Sequence, residues 1–113
     1  MKANSLEQKF SAEVIGVFPF PGLDNFIVSV KIHEKKYPKI GYFVTFSNED
    51  LWKVVGIALV AINKKGEEVL SEKQNKGIWD LQLAPVLVST PKPTLGHVTV
   101  SDKLPPTIIK NRN

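Results

Sequence analysis

Two histidines, eleven carboxylates and seven serines are what this 113-residue chain offers to catalysis, and there is no cysteine. Without cysteine, thiolate nucleophiles, disulfides and Cys-based zinc sites all drop out. His33 and His97 stand 64 positions apart and fall in no two-histidine spacing. Glu34 follows His33, but adjacent residues of an extended strand point to opposite faces, so the pair is poorly arranged to share an ion. Acid–base work by carboxylates needs two acids across a cleft with separated pKa values. Glu49-Asp50 and Glu67-Glu68 sit in polar turns, whereas Glu13 and Asp80 lie inside alternating stretches. A pocket joining Glu13 or Asp80 to a histidine would be the mark of an enzyme. The serines include no G-x-S-x-G elbow, and no G-x-x-x-x-G-K-[ST] phosphate loop exists. The expectation is a protein that is not an enzyme, with no metal and no cofactor.

Binding chemistry has more to draw on. The net charge is +4, which suits an acidic partner. However, 14 of the 15 basic residues are lysine, and Arg112 is the only arginine. Base readout and bidentate phosphate clamping use arginine's planar fork, whereas scattered lysines are an ordinary solvated surface. The densest mixture of cations and aromatics is Lys31, Lys35, Lys36, Tyr37 and Phe43, so these are the candidate partner-binding residues.

The elements that carry these residues read as strands. Residues 10–18 alternate, with Phe10, Ala12, Val14, Gly16 and Phe18 on one face and Ile15 and Val17 opposite. "PFPGLDN" then breaks the chain. In residues 26–33, Phe26, Val28, Val30 and Ile32 face inward; in residues 40–46, Ile40, Tyr42, Val44 and Phe46 share a face. "SNED" is a turn leading to residues 51–62, which read as one long strand. A helix over 48–61 capped by Ser47 is the competing reading, opposed by the β-branched residues and by Gly56, which marks a bulge or bend.

A hairpin turn at 63–68 precedes a short strand, 67–70, and 71–77 is a polar loop. Residues 78–83 put Trp79, Leu81 and Leu83 on one face, and Pro85 permits only an edge or a fresh strand start. Residues 95–101 turn Val98 and Val100 inward. Ile108-Ile109 could add an edge strand, and residues 3–9 form the one other helical candidate. The longest apolar run, 54–62, is far short of the ~20 residues a membrane-spanning helix needs. The reading is one all-β domain over 1–113, a small antiparallel barrel or sandwich of about six to eight short strands, with flexible ends at 1–8 and 110–113.

The first half also resembles a known family. "FSAEVIGVFPFPGLDNFIVSVKI", "PKIGYFVTF" and "WKVVGIAL" have the cadence of the second, β-barrel domain of translation GTPases of the elongation-factor-Tu type. The matching positions are Phe10, Val17-Phe18, Pro21-Gly22, residues 27–32, Ile40-Gly41 and residues 54–57. Tyr42 stands where that family has aspartate, and residues 64–113 do not align with it. The resemblance implies a barrel used for docking, not a nucleotide switch.

These lines meet in a non-catalytic binding module with another protein as partner and no membrane attachment. The first alternative is a barrel binding RNA or single-stranded nucleic acid. The second is an inhibitor of the immunity-protein kind that caps another protein's active site through charge complementarity. Lack of cysteine and of an N-terminal apolar stretch suits the cytoplasm.

Overall fold

The computed structural model of the protein describes residues 8–58 and 61–105. Six antiparallel strands close a barrel in the order β1 (Lys9–Pro19), β2 (Phe26–Lys31), β7 (Ile78–Leu87), β4 (Leu51–Ile57), β3 (Phe43–Phe46) and β8 (Gly96–Ser101), and β8 returns to β1. A separate ribbon of β5 (Ala61–Ile62) and β6 (Glu68–Val69) packs on no other strand or helix among the described residues. The barrel reading therefore holds over the sandwich.

Alternation produces this closure because every second side chain points into the lumen. Val14, Val28, Val30, Val44, Val54, Leu81, Leu83, Val98 and Val100 are sealed from solvent. Each such burial contributes roughly 1.5–3 kcal/mol, before the entropy of ordering the chain is subtracted. Trp52 fills one end of the lumen, with Phe26 edge-on at 5.8 Å and Phe46 at 6.5 Å. Trp79 fills the other end beneath Tyr37.

β1 and β4 each carry an extra residue, as β7 does at Val86. On β1 the pairing steps from Val14↔Val30 to Gly16↔Ser29, so Ile15 bulges and the alternation changes phase. Val17 then packs on the core, while Phe18, expected inside, is 55% exposed. On β4 the irregularity expected at Gly56 falls between Val54 and Gly56. A Cβ on Gly56 would stand 2.9 Å from Gln82 Oε1, so the strand approaches β7 closely there. Residues 51–57 are strand, not helix, but β4 ends at Ile57 and β5 belongs to the separate ribbon.

Other expectations need correction. Ile40 is 66% exposed, because the chain turns at Ile40-Gly41 and β3 begins only at Phe43. β7 runs through Pro85, tolerated because past Leu83 this strand pairs with β4 alone and one edge needs no amide donor. The 71–77 loop contains a helical turn, α1 (Glu72–Asn75), closed by a capping box in which Ser71 Oγ accepts from the Gln74 amide and Gln74 Oε1 accepts from the Ser71 amide. Gly77 ends it at φ 86°, its Cα so near the Ile32 carbonyl that a Cβ would lie 2.6 Å from that oxygen. Lys9 opens β1 instead of ending a helix. The rest of that helical candidate, the Ile108-Ile109 strand and the flexible ends lie outside the described residues, except that the Gln8 carbonyl accepts from the Asp102 amide.

Candidate functional site

Antiparallel order gives the barrel two dissimilar ends. One gathers the connections 20–25, 47–50 and 88–95; the other gathers 32–42 and 58–77 with the outer ends of β1 and β8. Ten of the twelve lysines among the described residues belong to the second end, with five carboxylates. The first end has Lys92 against Asp24, Glu49 and Asp50. The modest net charge thus hides a basic end and a weakly acidic, apolar one.

Lys31, Lys35, Lys36 and Tyr37 all fall at the basic end. Lys31 Nζ donates to the Lys76 carbonyl at 3.0 Å, and Lys36 Nζ lies 4.0 Å from Glu34 Oε1. Lys35 is exposed. Tyr37 is 54% exposed and leans on Trp79, ring centres 5.6 Å apart and planes tilted by 43°. Phe43 is not brought to this group. The 32–42 connection crosses the barrel, so β7 and β4 stand between β2 and β3. Phe43 is half-buried on the far wall, with Lys53 Nζ 5.9 Å from its ring centre.

Register also assembles what spacing concealed. β1 lies between β2 and β8, so His97 pairs opposite Glu13, and His33, just past β2, reaches the same wall. Ser11, Glu13, His33, Glu34 and His97 surround a cavity of about 290 Å³. His97 Nε2 is 3.4 Å from Ser11 Oγ, and the Ser11 amide donates to Glu34 Oε2 at 3.4 Å. A catalytic imidazole needs a partner fixing its second nitrogen. Among the described residues no hydrogen bond joins either imidazole to a carboxylate, and no three His, Asp or Glu side chains are placed to hold a metal ion. The cavity is open and joins Glu13 to both histidines, the arrangement named above as the mark of an enzyme, but no acid–imidazole hydrogen bond aligns them among the described residues.

Asp80 is committed elsewhere. Burial works to raise its pKa, but the Ser29 hydroxyl at 2.6 Å and the Lys73 ammonium at 3.0 Å outweigh burial and hold it below the usual aspartate value. It stays ionised and ties β2 to β7 and α1.

At the apolar end, two clefts flank Phe26. One, of about 620 Å³, is walled by Val17, Pro19, Pro93 and Leu95; the other, of about 360 Å³, by Leu23, Asp24, Trp52, Pro85 and Val88. The Trp52 indole N–H is buried and has no acceptor among the described residues. The 88–95 connection is held over these clefts by Asp50. One Asp50 oxygen accepts from the Ser89 amide at 2.7 Å and hydroxyl at 2.8 Å; the other accepts from the Thr90 amide and hydroxyl and from Asn48. Burial works to raise the Asp50 pKa, but these donors prevail and bring it down to about 2. The sequence marked this aspartate only as a turn residue.

Fold and site together define a small closed antiparallel barrel with a lysine-rich end and a weakly acidic, apolar one. Comparison with protein families, with curated proteins and with solved structures finds no match to this chain. No helix among the described residues is long and apolar enough to cross a membrane.

Proposed function

We propose that this protein is a non-catalytic binding module whose partner is another protein, docked at the apolar end of the barrel. The observation that carries this is the crowding of exposed apolar side chains there. Phe18, Leu23, Val86, Leu87 and Leu95 are 46–68% exposed around one rim. Large exposed apolar patches mark interaction sites in soluble proteins. The resemblance of residues 10–62 to the docking barrel of translation GTPases supports the same reading, and the lack of cysteine supports a cytoplasmic setting.

The test is affinity purification from the native cell at low and high salt, with protein and RNA both analysed, for the wild type and Leu95→Asp. The expected result is a stoichiometric protein partner retained at both salts and lost in the variant. A second reading, RNA or single-strand binding at the basic end, is favoured by the exposed Tyr37 ring beside Lys35 and Lys36. It predicts RNA recovered at low salt and released at high salt, because phosphate contacts make affinity fall steeply with salt. That outcome would overturn the protein-binding proposal.

A further inference from the structure

We infer that the two clefts at the apolar end receive an extended segment of the partner, carrying two apolar side chains two residues apart and a lysine or arginine beside them. This rests on the protein-binding reading and names the occupant. The clefts share Phe26 as a common wall. In an extended chain, side chains on one face recur every second residue, roughly 6.5–7 Å apart, which suits neighbouring cavities divided by one aromatic residue. A helix would present its apolar stripe to a continuous groove, which a central ridge interrupts.

The segment is held by side chains, not by extending the sheet. Past Leu83, β7 has one edge without a strand partner among the described residues. Pro85 lies on that stretch, and the pairing irregularity between Leu51↔Leu87 and Trp52↔Pro85 leaves Val86 bulged. Both features blunt an edge against strand addition.

Charge selects a basic segment. Asp24 lines the smaller cleft, is exposed, and makes no hydrogen bond or ion pair among the described residues; Glu49 lies at the same end. Lys92 lines the larger cleft, so the cationic residue belongs beside the smaller one at Asp24, and the lysine-rich end disfavours it. Trp52, whose buried indole N–H has no acceptor among the described residues, lines the same cleft.

The two tryptophans make the test specific, since Trp52 reports the apolar end and Trp79 the basic one. A random linear peptide library displayed on phage is selected against the full-length protein. Selected peptides are synthesised and titrated into ¹⁵N-labelled protein, with the two indole resonances assigned through Trp79→Phe. Expected are a consensus of apolar, any, apolar with an adjacent lysine or arginine, a shift of the Trp52 indole alone, and about tenfold or greater weakening in Leu95→Asp and in Asp24→Lys. Both replaced side chains are exposed, and unchanged resonances elsewhere verify the fold. No consensus, an acidic consensus, or peptides that move Trp79 instead would overturn the inference. A stoichiometric protein partner that moves Trp52 and is lost in Leu95→Asp, while the selected peptides show no such consensus, would overturn it and leave the protein-binding reading intact.

Discussion

Replacing Asp50 with asparagine should loosen the lid over the apolar end and remove a defined part of the acid sensitivity. The side chain is 3% exposed, and both carboxylate oxygens accept hydrogen bonds from the 89–90 segment. Its folded pKa is about 2 against 3.8 for the free group, so the fold prefers the ionised form. At about 1.4 kcal/mol per unit, the preference is worth about 2 kcal/mol. Because the folded pKa is the lower one, this contribution is complete above about pH 4 and is lost as the pH falls through about 2.

Asparagine keeps the shape but turns an N–H₂ toward groups that already donate, so the variant should lose about 2–3 kcal/mol at neutral pH. The assay is urea unfolding at a series of pH values. The midpoint should drop without a change in slope, and the wild-type advantage should shrink by about 2 kcal/mol across the acid window. Asp80 also has a lowered pKa, but it is present in both proteins and cancels in the difference. If the variant lost stability between about pH 4 and pH 2 as steeply as the wild type, the assignment to Asp50 would be wrong.

Other outcomes follow from the same geometry. Glu49 is exposed at φ 73°, where a Cβ is crowded, so Glu49→Gly should stabilise the fold by about 1 kcal/mol and raise the urea midpoint. Gly77→Ala should do the opposite, costing about 1–3 kcal/mol, because φ is 86° and the new methyl would meet the Ile32 carbonyl; a midpoint unchanged in urea would refute that contact. Wild type, Ser11→Ala and His97→Ala should hydrolyse p-nitrophenyl acetate equally slowly, since no carboxylate orients His97; a wild-type rate well above Ser11→Ala would show a working nucleophile and sink the non-catalytic proposal.

How much was readable beforehand depended on the kind of information required. Alternation located the β1, β2, β4, β7 and β8 segments and most of the lumen, because a closed barrel demands one apolar face per strand. Phe18 was misassigned because a single bulged residue, Ile15, reverses every position after it, and nothing in the letters marks which residue bulges. The turn at Ser71 was different: Ser followed by Gln three residues later is a readable capping signature, submerged in a very polar stretch. Strand order lay beyond reach. It alone separates Phe43 from Lys31 and draws His33 and His97 to one wall.

The seam between β1 and β8 joins residues 9–14 to residues 96–101, and β8 also supplies the second neighbour of β3. On a ribosome, the barrel therefore has to wait for almost its entire length to emerge before it can shut. Until then both strands offer unsatisfied rims to any passing chain, and closing so large a loop is slow. Maturation of this protein should hinge on β8, and shortening the gene before Gly96 should yield inclusion bodies instead of a smaller domain.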